Sequence, residues 1–223
     1  MPVITISRQF GSGGSVIAAR IANALGWPLL DNALVEAVAA QLRVSVSEVE
    51  AREERVSSLV ERLANALAMG SPETLPTMLE APPRLSDQQV IDVTRRVVAE
   101  QVAKGSAVLV GRGAQLMLAE RTDGLHVLCY APRAALIARV VERTGRSPDE
   151  AARVVDDTNR HRTDYVRKHW NRGWLAHENY HLCVNTAAFG IDGSVGLVLD
   201  AARRKLGAHA VQPSPEGGRA PER

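Results

Sequence analysis

The chain has 223 residues, which is enough for one substantial α/β domain with a smaller insertion. Its hydrophobic content of 45% and charged content of 23% are ordinary for a globular protein, and with 4% aromatic residues the core has to be mostly aliphatic. The formal net charge of +2 is too small to indicate a duplex nucleic-acid binder, so we expect no nucleic-acid partner.

Neither a targeting segment nor a membrane span is indicated by the sequence. No stretch approaches the ~20 apolar residues of a spanning helix, and the chain begins directly with a predicted strand. We therefore expect a cytoplasmic protein without a membrane partner. Cys129 and Cys183 lie within apolar runs and lack a CxxC or metal-ligand spacing, so we expect both to be small buried residues in a reducing compartment.

The first half of the chain combines short strands with helical patterns. The apolar run over residues 3–7 predicts a strand, and the spacing over residues 14–25 predicts a helix. Further predicted elements are a strand over 27–30, a helix over 32–42, a long helix over 45–69, a loop over 70–86 and a helix over 87–104. Residues 32–86 therefore form a predicted helical insertion. The apolar stripe of its long helix suggests a homodimer surface.

The second half of the chain alternates more regularly. Uninterrupted apolar runs over residues 107–110 and 125–130 predict strands that are buried on both faces of a parallel sheet. Further predicted elements are helices from Pro132 to about 143 and over 148–169, a strand over 181–185, a helix over 193–206 and a disordered tail from Gly207. This alternation predicts an α/β fold with a parallel five-stranded sheet between helices.

The segment SRQFGSGGS, between the first strand and the first helix, is typical of a phosphate-binding loop. Its glycines allow the backbone to approach a ligand closely, and the N–H groups at the helix start favour an anion. The predicted phosphate-binding residues of this loop are Gly11, Ser12, Gly13, Gly14 and Ser15.

The loop departs twice from the pattern G-x-x-x-x-G-K-[ST]. Arg8 occupies the place of the first glycine, and Gly14 occupies the place of the lysine. Gly13 and Ser15 match the pattern, so Ser15 is the predicted Mg²⁺ ligand. The lysine normally meets the β- and γ-phosphates, and Arg8 is the nearest cation in sequence that could replace it.

Other chemistries have weaker support. A dinucleotide-binding loop needs a third glycine where Val16 stands, and no G-x-S-x-G nucleophile elbow follows a strand. The histidines between residues 161 and 181 lack zinc-ligand spacing. His126 and Tyr130 are interpreted as packing residues. Trp170 and Trp174 either pack at the core edge or stack on a base, and we favour packing.

Three blocks together, ITISRQFGSGGSVIAARIANALGWPLLDNALVEAVA, VLVGRGA and YHLCVNTA, resemble the cytidylate kinase-like family. This family is a branch of the P-loop nucleoside monophosphate kinases. The resemblance implies a P-loop NTPase three-layer fold in one domain over residues 1–206, followed by a tail over 207–223. The core would be 1–31 and 87–206, the acceptor-binding insertion 32–86, and an arginine-rich lid 143–169.

The resemblance also implies roles for single residues. Asp31 matches an acidic residue that ends the second strand, which implies a contact with the acceptor. Gly111-Arg112-Gly113 matches the family's Gly-Arg-Asp at two of three positions, and Arg112 would hold the acceptor phosphate. Gly113 stands where the family has an aspartate.

The lid residues follow from the same resemblance. Arg139 and Arg143 match arginines that enter the lid and bind phosphate, whereas Asp157 and Arg160 reproduce an Asp-x-x-Arg spacing. Asp157 would then face the acceptor.

The stretch DDTNRHRTDYVRKHW carries several cations on one predicted helix. A guanidinium group can bind two phosphate oxygens at once. The alternative is a solvated helix in which Asp164 pairs with Arg160 or Lys168 at helical spacing. The candidate catalytic arginines are Arg8, Arg112, Arg160 and Arg162.

The sequence as a whole predicts a nucleotide-dependent kinase. It would transfer the γ-phosphoryl group of ATP, with Mg²⁺, to a small acceptor such as a pyrimidine nucleoside monophosphate. The rival hypothesis is a protein of the same fold that binds a nucleotide or another anion without turnover, because the lysine and the aspartate are both replaced.

Overall fold

The computed structural model describes residues 1–46 and 87–211 of the chain. Within this part, five parallel strands form one sheet in the order β2-β3-β1-β4-β5. The strands are β1 (Val3–Arg8), β2 (Leu29–Leu30), β3 (Ala107–Val110), β4 (Gly124–Tyr130) and β5 (Leu182–Asn185). The predicted α/β class and the parallel five-stranded sheet are therefore confirmed.

The helices in the described residues follow the predicted pattern closely. They are α1 (Gly14–Leu25), α2 (Asn32–Leu42), α3 (Asp87–Lys104), α4 (Ala114–Met117), α5 (Arg133–Thr144), α6 (Pro148–Trp170) and α7 (Thr186–Leu206). Two short 3-10 turns are His177–Asn179 and Ala208–Val211. Helix α4 was not predicted, because one helical turn is too short to show a period.

Helix α7 begins seven residues before the predicted start at residue 193. Asn185 caps it, since its side chain accepts a hydrogen bond from the backbone N–H of Ala187 at 3.1 Å. Gly190 breaks the helix with φ 65° and ψ −176°. This break explains why the first part of α7 did not stand out as helical in the sequence.

Strand β1 is central because its side chains are buried on both faces of the sheet. Ile4 and Ile6 belong to an apolar cluster with α1 and α7, whereas Val3 belongs to a cluster with α2 and α3. The sheet thus lies between two helical layers. The parallel register brings the carboxyl ends of β1 and β3 together, since Ile6 pairs with Val110.

Several predictions need a correction or fall outside the described part. Cys129 is buried as predicted, but Cys183 is exposed. Cys183 lies on the edge strand β5, and alternation turns it away from the core that its neighbour Val184 joins. The first residues of the predicted disordered tail are ordered, because Ala208–Val211 form a 3-10 turn and Val211 is buried against the core.

The helix predicted over 45–69, beyond its first two residues, lies outside the described residues. The loop predicted over 70–86, the homodimer surface and residues 212–223 also lie outside them. Within the described residues, no helix combines the length and apolar character needed to cross a bilayer.

Candidate functional site

The glycine-rich turn between β1 and α1 depends on left-handed backbone at two positions. Gly11 and Gly13 have φ values of +82° and +78°. A Cβ at Gly11 would lie 2.6 Å from the carbonyl oxygen of Leu136, so a side chain has no room there. Gly13 directly precedes α1, and the positive end of the helix dipole therefore lies at the turn.

Arg139 on α5 fixes this turn from the side. Its Nη1 donates hydrogen bonds to the carbonyl oxygen of Ser12 and to Oγ1 of Thr186, both at 2.8 Å. Its Nη2 donates to the carbonyl oxygen of Thr186 at 2.6 Å. The structure thus gives Arg139 a supporting position beside the turn, and its predicted contact with phosphate stays a prediction.

The turn after β3 has an uncommon conformation. Gly111, Arg112 and Gly113 have consecutive positive φ values of +73°, +55° and +69°. A left-handed arginine costs conformational energy and persists when the surrounding structure holds it. The backbone N–H of Gly111 donates to the carbonyl oxygen of Ile6 at 3.0 Å, which fastens this turn to the end of β1.

Three arginines line one pocket at the carboxyl ends of β1 and β3. The pocket has an empty volume of about 330 Å³, open solvent included. Its lining residues are Ser7, Arg8, Gly111, Arg112, Gly113, Arg162, Tyr165, Val166 and Trp174. Ligands commonly bind at this edge of an α/β sheet. We call this place the guanidinium pocket.

Arg8 is the last residue of β1 and is largely buried, since its side chain is 11% exposed. Its Nη2 lies 3.9 Å from Oδ1 of Asp31, at the start of α2. The structure therefore brings the predicted acceptor residue Asp31 to the pocket arginine Arg8. This carboxylate offsets part of the positive charge of the pocket.

Arg162 connects α6 to the same edge of the sheet. Its side chain is buried, and its Nη1 donates to the carbonyl oxygen of Arg8 at 2.6 Å. A second contact follows one turn earlier, where Oδ1 of Asn159 accepts from the backbone N–H of Phe10 at 2.8 Å. Helix α6, which contains most of the predicted lid, is thus docked on the loop.

The other predicted site residues lie elsewhere. Arg160 pairs with Asp157, and both side chains are roughly half exposed or more, at 64% and 46%. Arg143 places its Cζ 5.4 Å from the ring centroid of Phe10. The interpretation of α6 as a salt-bridged helix thus fits Arg160, although its partner is Asp157 instead of the expected Asp164. The functional roles of Arg143, Asp157 and Arg160 stay predictions.

The polar network behind the pocket was not predicted from the sequence, and Trp174, which the sequence predicted to pack, is a buried lining residue of the pocket. Ser7 Oγ donates to Oε1 of Gln115 at 3.1 Å, and Nε2 of Gln115 donates to the Tyr180 hydroxyl at 3.4 Å. That hydroxyl donates to the carbonyl oxygen of Trp174 at 2.6 Å. Burial raises the pKa of Tyr180 to about 12, so it remains a donor at neutral pH. Ser7 and Tyr180 lie in two of the blocks that carry the family resemblance, but only the folded chain brings Gln115 between them.

The predicted Mg²⁺ site would have one protein ligand, Ser15. Ser15 is exposed on the first turn of α1, so its hydroxyl is accessible to a metal ion beside the turn. In residues 1–46 and 87–211, no three His, Cys, Asp or Glu side chains are grouped to hold a metal. Mg²⁺ usually keeps several waters and binds substrate phosphates. A site formed by Ser15, phosphate oxygens and water fits that behaviour.

Comparison with solved structures shows the fold. An uncharacterized protein from Eubacterium ventriosum has a TM-score of 0.63 at 18% identity, with 91% of this chain and 98% of that chain covered. Shikimate kinase from Bacteroides thetaiotaomicron has a TM-score of 0.50 at 14% identity, with 90% and 97% covered. The fold is thus that of P-loop kinases, as the resemblance implied.

Sequence comparison gives two further findings. A uronate isomerase from Corynebacterium glutamicum is 31% identical over 116 residues, which are 51% of this chain and 22% of that protein. The chain therefore spans well under half the length of this curated relative. The model of the cytidylate kinase-like family matches residues 3–188. Because this match covers most of the sequence, the chain belongs to the cytidylate kinase-like family.

Proposed function

We propose that this protein transfers the γ-phosphoryl group of a nucleoside triphosphate to a small acceptor bound in the guanidinium pocket. The observation that carries the proposal is the convergence of Arg8, Arg112 and Arg162 in one pocket that adjoins the glycine-rich turn. Phosphoryl transfer depends mainly on positioning and on neutralising the charge of the transferring group. Three arginines that line a pocket beside this loop would supply both.

The two substrates would divide the site between them. The backbone of residues 11–15 would bind the donor phosphates, and Arg112 would hold the anionic group of the acceptor. Mg²⁺, when bound through Ser15, would neutralise charge on the donor phosphates. We further propose ATP as the donor and a pyrimidine nucleoside monophosphate as the acceptor.

Burial would strengthen the arginines in this role. Arg162 is 8% exposed, and the side chain of Arg8 is 11% exposed. In such a poorly solvated place, a fixed positive charge stabilises developing negative charge more than it would in water. The bond from Arg162 to the Arg8 carbonyl oxygen holds part of this arrangement in advance of binding.

The direct test is phosphoryl transfer from ATP to a panel of nucleoside monophosphates and small hydroxy acids. We expect product with at least one acceptor, and a loss of about 100-fold or more in kcat/KM for Arg162→Met. The control is Arg167→Met on the same helix, whose side chain is 71% exposed and pairs with Asp164. Equal losses in the two variants would contradict the assignment of Arg162. Arg160→Met, assayed alongside, tests the predicted role of Arg160.

A second candidate function is binding of a nucleotide or another polyanion without turnover. Gly14 supplies no ammonium group, Gly113 supplies no carboxylate, and Asp31 is paired with Arg8. Calorimetric titration of the same compounds separates the two functions. Binding of ATP without transfer to any member of the panel supports this second candidate.

A further inference from the structure

The two departures from the phosphate-loop pattern, at positions 8 and 14, touch each other in the structure. Gly14 is the first residue of α1 and is not among the glycines with positive φ, so its backbone would accept other residues. A Cβ at Gly14 would, however, collide with the Cβ of Arg8 and lie 3.1 Å from its Cγ. The stem of Arg8 therefore fills the space in which a side chain at position 14 would begin.

The other end of Arg8 reaches a second glycine. A Cβ at Gly111 would collide with Nη1 of Arg8 and lie 3.1 Å from its Cζ. The guanidinium group thus lies beside the turn that carries Arg112, with Asp31 as the carboxylate that faces it. Arg8 runs from the start of α1 to the guanidinium pocket. Its Cβ leaves no space for a side chain at position 14, and its guanidinium group ends beside Gly111.

We propose that Arg8 is the phosphate-binding cation of this loop and that it excludes a lysine at position 14 by occupying its space. This proposal rests on the proposed function. It adds that the two departures from the phosphate-loop pattern, arginine at position 8 and glycine at position 14, depend on each other. Placing the positive charge on Arg8 instead of on a lysine at position 14 also replaces an ammonium group with a guanidinium group. A guanidinium fork can bind two oxygens at once, and here it would lie between the donor phosphates and the acceptor.

The two departures can be reversed in the full-length chain. The double variant Arg8→Gly/Gly14→Lys removes the obstructing stem and places an ammonium group at position 14. Arg8→Gly/Gly14→Met is the matched control, because methionine has a similar length without the charge. A Cβ at position 14 also lies 3.1 Å from the Cβ of Cys129, and this tight contact is the same in both variants. Inorganic tripolyphosphate and MgATP are the probes, with binding measured by calorimetry.

We expect the lysine variant to bind tripolyphosphate about tenfold or more tightly than the methionine control. We expect the single variant Gly14→Lys to bind more weakly than wild type and to melt at a lower temperature, because Arg8 blocks the new side chain. Equal binding by the two double variants would overturn the proposal. The single variants Arg8→Lys and Arg8→Met provide a second comparison that does not depend on the folding of the double variants, because both keep an unbranched side chain at position 8. Equal binding by this pair would also overturn it.

Failure of the proposed function gives a different result. If wild type binds tripolyphosphate and the charge dependence holds, but no acceptor is phosphorylated, the proposed kinase activity fails and the inference about Arg8 stands. If an acceptor is phosphorylated at the wild-type rate by Arg8→Met, the kinase activity stands and the inference fails. Absence of triphosphate binding by wild type contradicts both.

Discussion

The indole ring of Trp170 lies against the Cα of Gly113. A Cβ at Gly113 would collide with Cη2 of that ring and lie 2.7 Å from Cζ3 and 3.0 Å from Cζ2. Trp170 ends α6, and Arg95 of α3 places its Cζ 5.8 Å from the centroid of the same ring. With Trp170 in this place, the turn after β3 has no room for the aspartate that the resemblance implies at position 113.

This contact predicts a large cost for a side chain at position 113. Gly113→Ala must adopt φ +69° and also displace the indole ring, whereas Gly145→Ala meets φ +68° with no atom within 4 Å. We expect Gly145→Ala to lower the free energy of unfolding by about 1 kcal/mol, as left-handed backbone alone does. Gly113→Ala should cost about 1–3 kcal/mol more because of the overlap. Urea denaturation measures both, and equal costs would mean that the ring yields freely.

The hydrogen bonds of Arg139 predict that it stabilises the glycine-rich turn. Arg139→Met removes three bonds to the oxygens of Ser12 and Thr186. We expect a loss of about 2–3 kcal/mol in the free energy of unfolding and weaker binding of tripolyphosphate. Arg133→Met is the control on the same helix, because Arg133 forms an exposed ion pair with Asp156 and should change little. A similar small effect in both variants would remove Arg139 from the support of the turn.

The network behind the guanidinium pocket depends on the hydroxyl of Tyr180. Tyr180→Phe leaves the carbonyl oxygen of Trp174 and the amide of Gln115 without this partner. A buried polar group that loses its partner costs about 1–3 kcal/mol, so we expect a loss of that size in denaturant titration. Tyr130→Phe is the control, since Tyr130 is 37% exposed. If both substitutions are neutral, the hydroxyl does not hold Trp174.

Two stacked histidines predict that stability falls in mild acid. Desolvation, with repulsion from His181 and Lys205, lowers the pKa of His126 from 6.5 to about 4. Burial also lowers the pKa of His181, whose Nδ1 accepts the backbone N–H of His126 at 2.9 Å and must be unprotonated to do so. Because the unfolded chain binds a proton at higher pH than the folded one, the stabilisation is complete above pH 6.5 and is lost as the pH falls toward 4.

The loss from His126 over this window should be at most about 3 kcal/mol. Urea denaturation at pH 7.5 and at about pH 4 measures it. His126→Asn removes the titrating group and should flatten the pH dependence, whereas His177→Gln should leave it unchanged because that side chain is 92% exposed. An unchanged slope in His126→Asn would show that other groups cause the acid sensitivity.

The sequence by itself determined the parts that depend on neighbouring residues. Apolar runs indicated β1, β3 and β4, and the helical period gave α1, α2 and α3 with the bounds that the structure has, because local periodicity reflects which face is buried. Glycine spacing located the turn before α1, since left-handed backbone at Gly11 and Gly13 is a local requirement. The family resemblance, carried by contiguous blocks, was also readable there and was confirmed.

Only the tertiary structure decided which arginines share a pocket. Arg160 and Arg162 are two residues apart on one helix, yet one pairs with Asp157 in solvent and the other reaches the carbonyl oxygen of Arg8. Helical spacing could not choose between them, because the direction of the core depends on how α6 docks on the sheet. Two steric exclusions also depend on the tertiary structure. Arg8 leaves no space for a side chain at position 14, and Trp170 leaves none at position 113. Such contacts join residues distant in sequence or on different elements, and no local pattern encodes them.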